Sequence, residues 1–129
     1  MLRKFVLYHS PAILCAGAII VLSSIRNLPA PELEVVAVDK IAHFLEYAVF
    51  AFLLYRSFSH LGSAVTAGPA ALLALLVAAA FASLDEYYQQ FIPGRSADPY
   101  DLVADLLGTV VVLAYLFLRQ RATTPRSSP

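Results

Sequence analysis

Residues 64–90 read AVTAGPAALLALLVAAAFASLDEYYQQ. From Ala64 to Leu84 there is no charge, and the run matches the roughly 20 apolar residues that a membrane-crossing helix needs. Gly68-Pro69 marks its start, because proline in the first helical turn gives up no intrahelical hydrogen bond. Ala70, Ala74, Ala78 and Ala82 recur every four residues and therefore share one helix face. Small residues at that spacing let helices pack closely in lipid. Extending the stripe reaches Glu86 and then Gln90, so a carboxylate is predicted to point into a bundle rather than at lipid. Gln89, three residues beyond Glu86, is within reach of the same face. Asp85 follows Val77 and Phe81 and is placed on another face or at the helix end.

Three further apolar segments flank this one: Phe5 to Ile25, Ile41 to Tyr55, and Leu102 to Leu118. The first is long enough to span alone. The second carries His43 and Glu46, and the fourth carries Asp105, so both span only if polar residues are accepted near their ends. The predicted helices cover about 5–26, 39–59, 68–90 and 100–120. They form one domain over 1–122, followed by a polar Ser/Pro tail over 123–129 that reads as disordered. Asp39 and either Asp98 or Asp101 are candidate caps for the second and fourth helices. Asn27 to Val38 and Pro93 to Tyr100 read as loops. Arg3-Lys4 followed by an apolar run imitates a signal peptide, but no well-placed cleavage pattern follows, and the segment is read as a retained helix.

Composition agrees with an all-α, integral membrane four-helix bundle. Of the 129 residues, 60% are hydrophobic and 14% charged, against roughly 45–50% and about 25% in soluble domains. Such a chain cannot cover a soluble surface with polar groups. The single cysteine, Cys15, excludes an intrachain disulfide, and no Cys/His zinc spacing occurs. Nine basic and nine acidic residues cancel, so nothing favours nucleic acid.

The zero net charge conceals an asymmetry. Arg3, Lys4, Arg56, Arg119, Arg121 and Arg126 fall on one side of a four-pass chain, which predicts both termini in the cytoplasm. The other half holds Arg26, Lys40 and Arg95 with all nine acids: Glu32, Glu34, Asp39, Glu46, Asp85, Glu86, Asp98, Asp101 and Asp105. Glu32 and Glu34 read as a solvated loop, Tyr87 and Tyr88 as interfacial belt residues, and His9 and His60 as solvated or interfacial.

The remaining polar residues form a pattern. Asp39, His43 and Tyr47 stack on one face of the second helix, with Glu46 bordering it. Glu46 lies about 10 Å from the helix start by the helical rise, where an unpaired charge costs several kcal/mol. Pro93-Gly94 turns the chain and presents Arg95. Asp101, Asp105, Gly108 and Thr109 line one face of the fourth helix, and Gly108 permits close approach of a partner. Three helices thus bring ionisable groups to one end of the bundle, more of them than helix packing alone requires.

The set Asp39-Lys40-x-x-His43-Phe44-x-Glu46-Tyr47, Asp85-Glu86-x-x-Gln89, Phe91, Pro93-Gly94-Arg95, Asp101 and Asp105-x-x-Gly108 resembles the VanZ-like family of small bacterial membrane proteins. The resemblance covers Asp39 to Gly108. It implies a multi-pass protein of the bacterial cytoplasmic membrane, associated with low-level resistance to the glycopeptide teicoplanin. Two positions depart from the family pattern. Tyr88 stands where many relatives have His, which removes a proton carrier or ligand. Asp105 stands where many have Asn, which sets a second charge beside Asp101; one carboxylate of such a pair can stay protonated.

Three functional readings follow. In the first, the outer end of the second to fourth helices binds or modifies a lipid-linked envelope precursor. Glu86 and His43 are the acid/base candidates. Asp39, Lys40, Glu46, Tyr47, Asp85, Gln89, Arg95, Asp101 and Asp105 are the ligand-binding candidates, Arg95 holding a phosphate or carboxylate. In the second, the same site binds a glycopeptide or lipid headgroup without chemistry. In the third, an accessory or transport subunit uses the acids as glue or as a proton path. No Ser–His or Cys nucleophile pattern supports covalent catalysis. No cofactor is expected: Asp39, His43, Glu46 and Glu86 have the mixed ligands of a Zn²⁺ or Mn²⁺ site, but nothing in the sequence brings all four together. The expected partners are membrane lipid, an envelope precursor or glycopeptide, and a second copy through the Ala70/Ala74/Ala78/Ala82 stripe.

Overall fold

The computed structural model describes residues 2–25, 32–62 and 65–123. The described chain is all-α, with five helices: α1 (Leu2–Tyr8), α2 (Ser10–Ser23), α3 (Glu32–Phe58), α4 (Ala67–Gln89) and α5 (Pro99–Thr123). The first predicted helix is therefore two. Pro11 has no N–H to donate and its ring crowds the preceding turn, and α1 and α2 meet at a 44° bend. The second helix begins at Glu32, not near Asp39, so much of the predicted loop before it is helical. Residues 27–31 of that loop and 124–129 of the tail lie outside the described residues.

Among the described residues α4 and Pro99–Gln120 of α5 are long and apolar enough to cross a membrane, and a third span follows if α1 and α2 count as one bent segment. At 1.5 Å per residue, α4 extends roughly 34 Å, enough for a hydrocarbon core of about 30 Å. The 27 residues of α3 are long enough, but Asp39, Lys40, His43 and Glu46 interrupt its apolar character.

Packing follows the small-residue logic. Ala70, Ala74, Ala78 and Ala82 are fully buried within a single copy of the chain, while Leu72, Leu76 and Leu84 on other faces of α4 are exposed. Helix α3 packs most extensively against α5. Gly108 makes that approach close: a Cβ there would overlap the Phe44 carbonyl oxygen and lie 3.2 Å from the Ala48 amide nitrogen. The core between α3 and α4 centres on Tyr47, Phe50 and Phe81, with Phe50 and Phe81 ring centroids 5.0 Å apart. At the opposite end from the acids, α1 and α2 are fastened to the end of α3. His9 hydrogen-bonds Ser57 at 2.7 Å, and His60 stacks on Tyr8 at 3.6 Å. His9 is thus engaged with α3 rather than simply solvated.

Candidate functional site

The C-terminal ends of α2 and α4 and the N-terminal halves of α3 and α5 lie together. This places most of the polar residues that are far apart in sequence in one cluster.

Helix α3 contributes His43 and Tyr47, four residues apart on its buried face, and the half-buried Lys40 three residues before His43. His43 is 6% exposed and Tyr47 is fully buried. Helix α5 contributes Asp101, Asp105 and Thr109 on one buried face, as predicted. His43 Nδ1 hydrogen-bonds Asp105 Oδ1 at 3.0 Å, and its Nε2 lies 3.8 Å from Asp101 Oδ2. A carboxylate on one ring nitrogen fixes the orientation of the imidazole and the role left to the other nitrogen.

Helix α4 contributes Asp85, Glu86 and Gln89, all buried. Glu86 points inward, as the alanine stripe predicts. Asp85 does not face away as expected. It accepts a hydrogen bond from Ser23 Oγ at 2.7 Å and another from Gln89 Nε2 at 3.3 Å. Gln90, the predicted continuation of the stripe, is exposed because α4 ends at Gln89.

The turn between α4 and α5 completes the site. Gly94 adopts φ +87°, which favours glycine. Asp98 precedes Pro99 at the start of α5 and accepts the Tyr100 N–H on Oδ1 at 2.9 Å, a helix N-cap. Its own N–H donates to Glu86 Oε2 at 3.0 Å. Lys40 donates to Asp98 Oδ2 at 2.5 Å and to Asp101 Oδ1, with Asp39 3.7 Å away. The Lys40 ammonium, together with the Tyr100 N–H, holds the Asp98 carboxyl below its ordinary value. Asp39, interior to α3, is not a cap.

Two expected members stand apart. Glu46 is half-buried and outside the His43 hydrogen-bond network. Arg95 is half-exposed, donates from Nε to the Ile25 carbonyl at 3.2 Å, and forms no ion pair among the described residues. It ties the turn to the end of α2. Sequence reasoning missed Ser23, because a serine at the end of an apolar helix carries no signal of a carboxylate 62 residues away.

The cluster is incompletely satisfied. Among the described residues, Tyr47 Oη, Asp85 Oδ1, Glu86 Oε1, Asp105 Oδ2 and Thr109 Oγ1 are buried without a hydrogen-bond partner in the chain. Buried polar atoms are normally paired. Two groups bring ligand atoms within 4.8 Å of one another: Asp39, His43 and Asp101, and His43, Glu86 and Asp105. Beyond Tyr47, along α3, lies an apolar groove of about 510 Å³ lined by residues including Phe5, Ile13, Phe50, Leu54 and Phe81.

A family model described as VanZ/LLP1 matches residues 5–120. No curated protein and no solved structure matches the chain.

Proposed function

The chain belongs to the VanZ/LLP1 family, and from that premise we propose that its polar cluster is an acid/base and ligand-binding site at the outer face of the bacterial cytoplasmic membrane. In this reading α1 and α2 form one bent pass, and α3, α4 and α5 the other three of a four-helix bundle with both termini in the cytoplasm. The biased placement of Arg3, Lys4, Arg56, Arg119, Arg121 and Arg126 supports that orientation. The observation that carries the proposal is the set of unpartnered buried oxygens on Glu86 and Asp105 beside His43, with another on Asp85, the residue before Glu86. Ionisable groups at this depth are expensive and mark function more often than packing.

The ligand class is a lipid-linked envelope component, its polar head at His43 and Glu86 and its chain toward the apolar groove beside Phe50 and Phe81. Glu86 exchanges a proton with that head, His43 being oriented for the same work by Asp105. Arg95, at the mouth, offers the guanidinium N–H groups that Ile25 does not use to a phosphate or carboxylate. A change in the accessible pool of such a component, or in glycopeptide binding at the outer leaflet, would give teicoplanin-type resistance. The competing reading, a proton path or structural glue in an accessory subunit, draws its support from Lys40, which neutralises Asp98 and Asp101.

The test is a resistance or envelope-integrity assay in cells with matched membrane levels of each variant. Glu86→Gln abolishes the phenotype if proton transfer is required, whereas a pure binding site tolerates it better than Arg95→Ala. Full function in both variants reduces the cluster to helix packing.

A further inference from the structure

We propose that His43, Glu86 and Asp105 hold a divalent cation, Zn²⁺ or Mn²⁺. The inference rests on the reading of the cluster as a ligand site; with the ion bound, His43 and Glu86 serve as its ligands rather than as proton carriers. The three residues come from three different helices, α3, α4 and α5, and offer one ligand atom each within 4.8 Å of one another. All three are buried, with Asp105 at 0% exposure and His43 and Glu86 at 6%. Glu86 Oε1 and Asp105 Oδ2 have no hydrogen-bond partner in the chain. Two carboxylates with free lone pairs beside an imidazole, in a setting of low dielectric, demand a compensating positive charge.

Among the described residues no Lys or Arg supplies it, and the cluster's single imidazole, His43, already faces both Asp105 and Asp101. Lys40 is committed to Asp98, Asp101 and Asp39, and among the described residues no Lys or Arg pairs with Glu86 or Asp105. This separates the group from its neighbour Asp39–His43–Asp101, where the Lys40 ammonium already stands.

The local geometry suits a metal. Donors about 2.1 Å from one ion lie roughly 3.0–3.4 Å from each other; the three ligand atoms already lie within 4.8 Å, and the ion would take the place of the proton shared by His43 Nδ1 and Asp105 Oδ1. Glu86 is steadied from outside, because its Oε2 accepts the Asp98 N–H at 3.0 Å while Oε1 stays unpartnered. Outer hydrogen bonds of this kind orient metal ligands. One imidazole and two carboxylates are the mixed set that Zn²⁺ and Mn²⁺ accept.

The full chain, purified in detergent micelles and stripped with chelator, is titrated with Zn²⁺ and with Mn²⁺ by calorimetry, and bound metal is counted after desalting. The expected result is one ion per chain. Glu86→Gln and Asp105→Ala each weaken binding by more than about 100-fold, and Asp39→Asn leaves it within about threefold. Circular dichroism checks that each variant keeps its helices; if Asp105→Ala fails to fold, Glu86→Gln decides. No stoichiometric ion in the unaltered chain overturns the proposal, as does binding lost with Asp39→Asn but kept with Glu86→Gln. A chain that binds neither ion yet loses its cellular phenotype with Glu86→Gln ends the metal proposal and leaves the acid/base reading standing.

Discussion

His43 and Asp105 face each other across the α3–α5 contact, Nδ1 and Oδ1 3.0 Å apart, in a region where Asp105 has no exposed surface. The pair joins the two most extensively packed helices at the depth of the candidate site. Asp105→Ala leaves His43 buried without its partner. Loss of a buried neutral hydrogen bond costs about 1–3 kcal/mol, whereas breaking a buried ion pair costs about 3–5 kcal/mol. Reversible unfolding in detergent is expected to show a loss of at least about 1 kcal/mol, and its size reports which form the pair takes. Asp105→Asn keeps an acceptor at Oδ1 and is expected to recover much of the loss. Unchanged stability in Asp105→Ala would mean that the pair does not hold α3 to α5.

Gly108 sets how closely those helices approach. A Cβ at this position would overlap the Phe44 carbonyl oxygen, which belongs to backbone and cannot swing away. Gly108→Ala therefore forces α3 and α5 apart, at the cost of about 1–3 kcal/mol expected for overpacking. Phe44 is the neighbour of His43, so the same substitution disturbs the His43–Asp105 contact. Gly17, in the interior of α2, has open space where a Cβ would stand, with no neighbouring atom within 4 Å. Gly17→Ala is expected to stabilise by about 0.5–1 kcal/mol through helix propensity. Thermal melts of the two alanine variants should move in opposite directions.

These two helices also mark how far the sequence could be read. The faces Asp39–His43–Tyr47 and Asp101–Asp105–Gly108 follow from helical periodicity alone; burial follows them at every position except Asp39, which stays partly exposed at the end of its face. The alanine stripe directed Glu86 inward for the same reason. Asp85 escaped because its apolar predecessors, Val77 and Phe81, place it on a neighbouring face. Its burial depends on α2 lying alongside with Ser23, a tertiary fact with no periodic signature. The start of α3 escaped because Glu and Pro around residue 32 read as loop, and a polar composition of that kind is a weak guide to where a helix begins. Asp98 was legible as a cap but not as the donor that steadies Glu86, since a backbone N–H is invisible to side-chain patterning.

Asp98 gives the site a defined acid limit. Its carboxyl is held below its ordinary value of 3.8, first by the hydrogen bond from Lys40 and then by the Tyr100 N–H. A carboxyl with a depressed folded value stabilises the fold above its unfolded value, and that contribution disappears as pH falls through the folded value. This part of the stability is therefore expected to be constant at neutral pH and to fall below about pH 4. Asp98→Asn retains a capping oxygen for α5 but not the charge. Its melting temperature should depend less steeply on pH in the acid range than that of the unaltered chain. Parallel acid limbs for the two proteins would remove Asp98 from the account.

Ser23 is the group by which α2 joins the polar cluster. Its hydroxyl donates to Asp85 Oδ2 at 2.7 Å, both residues being buried, and the other donor to that oxygen, Gln89 Nε2, is longer at 3.3 Å. Asp85 Oδ1 has no partner in the chain, so losing Ser23 leaves the carboxylate held by one long hydrogen bond. Hydrogen bonds between membrane helices average about 0.6 kcal/mol and reach about 1.7 kcal/mol. A buried acceptor with so few alternatives belongs at the upper end, and Ser23→Ala is expected to destabilise by about 1–2 kcal/mol. Ser24 is the matched control. It is exposed, donates to the Ile20 carbonyl of its own helix and meets Tyr88 at the surface, so Ser24→Ala should change stability by no more than about 0.5 kcal/mol. If the two serine variants melt alike, α2 is held by its apolar face, through residues such as Ala12 and Ile19, and the link to Asp85 contributes nothing to its docking.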